Sequence, residues 1–340
     1  MFHIVTLSVQ STDNAVLRAI GRKNLDFDAF HESIEAYVSN GIQPFTELIL
    51  GLPEETYDSF CEGFEKLILA GQKYYVEVYR CYILPNALLG RPETVERYGI
   101  KTVFTPPVMH HIPLEDANHM QPSARIVVET ASMSNSEWVR ANLFAVLVQA
   151  LYYMGTLKRV ADHLHDIKGV SYRSLFEGIL QWGLCHPERF TGTILKKLSE
   201  IFQNFSEGTG HLHYYNPAFG DIVWFVEEGL FLEIAAHTQA FYEDMIDYLK
   251  ESRFDDDLCE EMLRYQLFML YAPQRKKFSA EFHYDFRESV PKPQNILVTV
   301  DQNICYDSLA DYAREVVWFK RKSGGTICSE NNCSIRYEVQ

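Results

Sequence analysis

The sequence predicts an α/β fold with parallel strands over residues 1–90, a connector or lid over 91–125, a mainly helical domain over 126–272 and a small α+β tail over 273–340. Three observations carry this division. Short β-branched and apolar runs alternate with helical-period segments up to about residue 90. Proline, histidine and methionine then gather at Pro106-Pro107 and His110-His111. Long apolar helices with cap residues fill most of the remaining chain.

Residues 2–9 are rich in β-branched and apolar side chains and read as a buried strand, which runs into the turn and cap residues Gln10-Ser11-Thr12-Asp13. Phe27, Phe30, Ile34, Tyr37 and Val38 recur at helical spacing, and Gly41 follows where a C-cap glycine belongs. A second strand over 45–50 ends in Gly51-Leu52-Pro53. Thr56 then caps a helix whose inner face is Phe60, Phe64, Leu67 and Ile68, closed by Gly71. A third strand spans 74–84 before Pro85-Asn86. Crossovers of this length imply parallel strands, because antiparallel neighbours need only hairpins. The first element is a strand with nothing before it, unlike a complete barrel or doubly wound sheet, so an upstream part is expected.

Beyond the connector, Ser134-Asn135-Ser136-Glu137 is a capping-box pattern ahead of an apolar helix ended by Gly155. Phe190, Ile194, Leu198, Ile201, Phe202 and Phe205 form an inward stripe, and residues 221–250 are long enough for one bent helix or two. In the tail, 277–286 and 296–300 alternate like strands, 308–320 is helical and 327–339 reads as a hairpin.

The charge balance, 31 Lys plus Arg against 46 Asp plus Glu, gives −15 and argues against broad binding to nucleic acid or anionic membranes. Seven cysteines without a closely spaced even framework fit a reducing cytoplasm. There is no signal-like start, and the longest apolar stretch, 143–154, is about half of what spans a bilayer. A soluble cytoplasmic protein is expected.

The segment from Phe45 to Thr56, with its Gly51-Leu52-Pro53-Glu54-Glu55-Thr56 ending, stands behind Ser8-Val9-Gln10-Ser11 and Leu17-Arg18-Ala19-Ile20-Gly21-Arg22. Together with Tyr82-Ile83-Leu84-Pro85-Asn86, these segments resemble the radical S-adenosylmethionine (radical SAM) superfamily, and the three strands resemble the fourth, fifth and sixth of its barrel. The resemblance implies the C-terminal half of a TIM-like barrel. It also implies that S-adenosylmethionine binds at the strand ends, with Ser8, Gln10, Ser11, Glu47, Ile49, Gly51, Pro53, Tyr82 and Leu84 as binding residues. Parallel barrels hold their ligands at that end. Gly51 lacks a Cβ that would keep a ligand from the backbone, and Gln10 and Ser11 offer donors and acceptors. The common family form has glycine where this sequence has Glu54.

The superfamily holds a [4Fe–4S] cluster on a CxxxCxxC loop. No such spacing occurs among Cys61, Cys81, Cys185, Cys259, Cys305, Cys328 and Cys333, so the chain alone is expected to be inactive in that chemistry and no metal ligand is assigned. Cys328 and Cys333 read as ordinary thiols and Cys81 as a buried structural one.

The similarity runs furthest toward the branch with a cobalamin-binding domain, through the 10–56 block, Leu84-Pro85-Asn86-Ala87-Leu88-Leu89, Arg97-Tyr98-Gly99-Ile100 and the helical extension. The D-x-H-x-x-G motif of that branch is absent. The resemblance therefore implies part of an enzyme, methyltransferase-like, that acts on an unactivated carbon of a small molecule. It would be completed by a missing N-terminal half or by a separate cluster-bearing subunit. A non-catalytic partner-binding half-barrel is the alternative, since residues 2–9 offer an apolar edge without lysine or proline.

The histidine pairs read as structural. His163 and His165 lie two apart on a predicted surface helix and point away from each other; His211 and His213 could share one face of a strand; His110-His111 sits in the connector. Asp255-Asp256-Asp257 reads as a helix start. Tyr214, Tyr215, Phe219, Trp224 and Phe225 read as core.

Overall fold

In the computed structural model, residues 4–270, 277–287, 290–302, 306–318 and 333–339 are described. They form a mixed α/β protein with a three-stranded parallel sheet, two three-stranded antiparallel groups and many helices. The chain divides into two compact units, residues 1–149 with 195–214, and residues 150–194 with 215–340.

The first unit opens on strand β1 (Ile4–Gln10), short helix α1 (Asn14–Ala19) and helix α2 (Phe27–Ser39). Strand β2 (Gln43–Leu50), helix α3 (Tyr57–Leu69) and strand β3 (Val76–Arg80) follow. The strands pair in parallel in the order β1-β2-β3, with Ser8 opposite Glu47, Glu47 opposite Glu77 and Ile49 opposite Tyr79. Side chains alternate strictly along β2. Thr46, Leu48 and Leu50 are buried on one face, and Phe45, Glu47 and Ile49 are half-exposed on the other. The buried face is closed by helices, with Phe64 of α3 meeting Phe60 and Phe144 edge to face.

At Cys81 the chain changes sheets. Its N–H donates to Leu50 O at 2.9 Å, and its own carbonyl accepts from Val127 N at 2.9 Å. Strand β4 (Tyr82–Ile83), helix α4 (Pro92–Arg97), strand β5 (Lys101–Thr105), helix α5 (Leu114–His119) and strand β6 (Ala124–Glu129) then build an antiparallel group in the order β4-β6-β5. Helix α6 (Asn135–Leu147) begins at the expected Ser134–Glu137 capping box and runs into a π-helical turn, Val148–Tyr153. Within this unit Trp138 is fully buried, stacked on Phe205 and edge-on to Phe202.

The second unit holds helices α7 (Lys158–Lys168) and α8 (Tyr172–Cys185). Helix α9 (Phe190–Ser206) starts here and ends in the first unit. Helices α10 (Val226–Ala236), α11 (Thr238–Glu251) and α12 (Asp257–Phe268) follow, so 221–250 gives two helices, parted near His237. The tail contributes strands β7 (Lys277–Asp285) and β8 (Lys292–Gln302), helix α13 (Leu309–Tyr312) and strand β9 (Cys333–Val339), with the strands antiparallel in the order β7-β8-β9. Phe219 and Trp224 are fully buried in this unit and Tyr214 in the first, so these three are core as expected, while Tyr215 and Phe225 are only part-buried. No helix among the described residues is long and apolar enough to cross a membrane.

Three sequence expectations are corrected. Residues 2–9 read as a buried strand, but among the described side chains of β1 only Val9 is buried, because β1 pairs with β2 alone among described strands and its second face is uncovered. The strand expected over 74–84 is two, split at Cys81. The irregular connector carries β5, whose Val103 and Phe104 alternate between part-buried and exposed against β6; the neighbouring prolines mask that pattern. Of the hairpin expected over 327–339, only the stretch 333–339 is described. Residues 327–332, with Cys328, lie outside the described residues, and β9 pairs with β8.

One side chain fixes α6 beneath the sheet: the buried Asn142 accepts from the half-buried Arg80 Nε at 2.9 Å and donates to Trp138 O at 2.8 Å. An Asn142→Leu variant removes that acceptor from a half-buried cation. Urea denaturation should show a loss of about 2 kcal/mol, and an unchanged midpoint would refute this role.

Candidate functional site

The segments singled out from sequence meet at the C-terminal ends of β1 and β2 and at the start of β4. On the half-exposed face, Ser8 Oγ donates to Glu47 Oε2 at 2.9 Å across the β1–β2 register. Glu77, itself buried, stands opposite Glu47 on β3, so two carboxylates occupy neighbouring positions of one sheet face. The register shifts between Ser8 and Gln10, and Gln10 ends the strand at φ +65°. A bulge of this kind re-aims the side chain that follows it. The edge of β1 is capped near this point: the Arg22 guanidinium donates to Ser8 O, and Asn24 Nδ2 donates to Val9 O and Ser11 O at 2.9 and 2.8 Å.

The turn after β2 is built around a buried acid. Gly51 sits at φ +95° and its N–H donates to Glu55 Oε2 at 3.0 Å. Glu55 is 1% exposed, and the Leu52 backbone and Ser11 side chain also hydrogen-bond it. Burial dominates and pushes its carboxyl up to about 8, against the lowering effect of those bonds, with Asp13 adding to the rise. Glu55 is therefore neutral at pH 7. Nothing in the sequence pattern singles it out beforehand. The available signal is a second glutamate placed directly before the Thr56 cap, where it has a strand end to fold back on.

Gly51 has a further constraint: a Cβ there would lie 3.4 Å from Val127 O and 3.6 Å from the Val127 side chain. What stands beside Gly51 in this structure is thus β6. Pro53 and Leu52 are buried, whereas Glu54, at the family's glycine position, is exposed and held at φ +64°.

A cleft of about 910 Å³ takes in four of the nine predicted residues, Gln10, Ile49, Tyr82 and Leu84, together with Tyr79 and the buried thiol of Cys81. Arg18, Arg80, Arg91 and Arg97 also line it, an unusual gathering of cations in a chain of net charge −15. Burial raises the Tyr82 phenol, which is hydrogen-bonded to the Val108 backbone. Burial, reinforced by Glu55, pushes the Cys81 thiol up to about 12, so it is an inert packing group with Val16, Leu52 and Val127, as the sequence suggests. Ser8 lines a separate groove of about 1220 Å³ along β1, with Thr6, Thr12, Arg22, Asn24 and Phe27. Ser11, Glu47, Gly51 and Pro53 line neither cavity; Ser11 and Gly51 serve the Glu55 turn, and Glu47 serves Ser8.

Among the histidines, His211 and His213 stack at 5.3 Å on an irregular segment, and burial with the neighbouring ring pushes His213 down to about 4. His110 Nε2 lies 3.2 Å from Leu212 O. The surface reading of His163 is corrected: its side chain is only 8% exposed and faces the start of α12, while His165 stacks on Tyr172 at 4.6 Å. Positions i and i+2 do point apart, but each finds a neighbour to cover it. Asp256 caps α12, as read from sequence.

No protein-family model matches the chain. The chain is 30% identical over 303 residues, 83% of its length, to the cobalamin-dependent radical SAM methyltransferase TokK of Streptomyces tokunonensis. It is 28% identical over 287 residues, 79% of its length, to the 2-(S-pantetheinyl)-carbapenam-3-carboxylate methyltransferase of Streptantibioticus cattleyicolor. Its matched part covers 44% and 41% of those two proteins, so the chain spans less than half the length of the curated relatives it matches.

The Glu55 turn has a pH signature. The folded carboxyl keeps its proton up to about pH 8, while the unfolded one loses it near 4.5, so the stability that the neutral form contributes is full below pH 4.5 and falls as pH rises toward 8. Glu55→Gln should flatten that decline and make the variant more stable than the parent at pH 9, which urea melts at pH 5, 7 and 9 would read. Parallel curves would count against it. Glu54→Gly should raise stability by about 1 kcal/mol by relieving a left-handed non-glycine residue, and Glu54→Val should lower it. Thermal unfolding of the pair tests the sign.

Proposed function

We propose that this chain is the C-terminal portion of a cobalamin-dependent radical SAM methyltransferase, with S-adenosylmethionine bound at the C-terminal ends of β1, β2 and β4. The observation that carries the reading is the parallel register: it aligns Ser8, Glu47 and Ile49 on one half-exposed face, beside a cleft that holds Gln10, Tyr82 and Leu84. Parallel sheets are covered on both faces, so the half-exposed face calls for more protein or a ligand. The extent of similarity to two methyltransferases supports the same reading.

The residues present suit the nucleoside. Glu47 and Ser8 form an acceptor–donor pair for hydroxyl or ammonium groups, Gln10 carries both donor and acceptor at the bulge, and Tyr82 with Leu84 offers an apolar wall for a base. They do not suit an iron–sulfur cluster. No CxxxCxxC spacing exists, and Cys61, Cys81 and Cys259 are buried. No residue is assigned to cobalamin either. When all three groups are bound in a complete enzyme, they supply hydrogen abstraction from an unactivated carbon and methyl transfer. The part of this chain is to bind and orient: the carboxylate-bearing substrate named for one relative suggests an anionic small molecule here, and Arg18, Arg91 and Arg97 line the cleft that would receive it.

The cluster ligands would then come from a covalently preceding segment or from a separate subunit of a split enzyme. The β1 edge supports either, because an added parallel strand would continue the order β1-β2-β3 and extend over the groove lined by Thr6 and Ser8. A non-catalytic role would leave the same edge in use without methyl transfer.

Isothermal titration of S-adenosylmethionine onto the chain should show binding that Ser8→Ala and Glu47→Gln each weaken about tenfold, with unchanged circular dichroism. Absence of binding, or indifference to both variants, would overturn the assignment. Anaerobic iron–sulfur reconstitution of the chain alone should yield no 5′-deoxyadenosine. Co-expression with a polypeptide carrying the CxxxCxxC half should restore it, and turnover by the unaided chain would refute the division of labour.

A further inference from the structure

A cluster of metal-ligating side chains lies in the second unit. His163 on α7, Asp256 at the N-cap of α12 and Cys259 in its first turn each bring one ligand atom within 4.8 Å of the others. The imidazole is the informative member. Its side chain is 8% exposed and its Nε2 is buried with no hydrogen-bond partner, 4.0 Å from Asp256 Oδ2. Buried polar atoms are nearly always satisfied, so an orphaned ring nitrogen aimed at a carboxylate and a thiol calls for an explanation.

We infer that His163, Asp256 and Cys259 form a three-ligand site for a zinc-class divalent cation that joins α7 to α12. The donor set is nitrogen, oxygen and sulfur, which suits a borderline-soft ion such as Zn²⁺ and not Ca²⁺ or Mg²⁺. Bond lengths of about 2.0–2.3 Å require the three atoms to draw together by roughly an ångström, within the reach of side-chain rotation. Burial lowers the pKa of His163, which keeps the ring neutral with a lone pair to offer. Burial pushes the Cys259 thiol up to about 12, so it stays protonated until a cation displaces its proton to solvent.

Two existing contacts bear on the site. The Asp256 carboxylate already accepts from Cys259 N at 2.7 Å through Oδ1, which holds it at the helix start and leaves Oδ2 for the ion. Lys168 occupies that Oδ2 now, with Nζ at 2.7 Å. Its ammonium also bonds Phe254 O at 2.7 Å and Asp255 O at 3.4 Å, so it has carbonyls to keep when a cation takes the carboxylate. Lys168 thus competes with the metal, and its removal should tighten binding, an outcome that a purely structural role for the cluster would not produce.

Cobalt(II) is the probe, because a Co–thiolate bond gives near-ultraviolet charge-transfer absorption and a tetrahedral ion gives visible bands. Titration of the full chain with CoCl₂ should reveal one equivalent with both features, displaced by ZnCl₂. Cys259→Ser should abolish the charge-transfer band, His163→Gln should weaken binding at least tenfold, and Lys168→Met should strengthen it severalfold. The other six cysteines provide the control: a band that survives Cys259→Ser, or no band at all with correctly folded protein, overturns the site.

Discussion

Parallel strands bury their hydrogen-bonding edges and both faces, and the β1-β2-β3 sheet meets that requirement on one side only. Leu48, Leu50, Val76 and Val78 are sealed beneath helices, while Glu47, Ile49 and Tyr79 on the opposite face keep contact with solvent. The placement of the candidate site follows from this asymmetry. A face that carries Ser8 and Glu47 beside the already buried Glu77 is better suited to a polar ligand or a polar lumen than to further apolar cover. The same logic explains the half-exposed β1, whose uncovered edge is blunted only near its end by Arg22 and Asn24.

Cys81 is the second constraint, and it acts through its backbone. By donating to β2 and accepting from β6, it joins the parallel sheet to the antiparallel group without a loop between them. Val127, its partner on β6, is also the residue that crowds Gly51. Glycine at 51 therefore answers to two demands, a positive φ and the close passage of β6, before any ligand is considered. The buried Glu55 then ties the Gly51 and Leu52 amides back to the start of α3, at the expense of holding a carboxyl away from water. An apolar residue at 55 would spare the desolvation but leave those amides without that acceptor.

Much of the first unit is legible directly in residue patterns. Strand–helix alternation, Thr56 and Ser134 as caps, and Gly41 and Gly71 at left-handed closings depend on local chemistry, and local chemistry is written in adjacent residues. The misses are non-local. Nothing near Cys81 announces a change of sheet, because the cause is Val127, 46 positions further on. The histidine at 163 looks solvent-facing in sequence because the partner that covers it, α12, begins nearly a hundred residues later. Of the nine residues expected to bind S-adenosylmethionine, Ser8 and Glu47 lie on strands the pattern predicts, but their pairing is set by the β1–β2 register, which spacing does not reveal. Whether Gln10, Ile49, Tyr82 and Leu84 share a cleft depends on the bulge after Ser8 and on where β4 turns, and neither is visible in spacing.

The distribution of charge bears on what the cleft can attract. The chain is strongly acidic as a whole, yet the cleft at the strand ends is lined by four arginines, with Glu93 the one acidic residue among the described residues on that lining. Against a repulsive background, a local cationic lining concentrates anions at one place and leaves the rest of the surface indifferent to them. Arg80 is already engaged with Asn142 and lies over the Phe202 ring, and Arg97 lies over Tyr98, so their positions are set by packing before any anion arrives. Guanidinium groups fixed in this way lose little freedom on binding, and that pre-organisation is what distinguishes a receptive cleft from a scatter of surface charge.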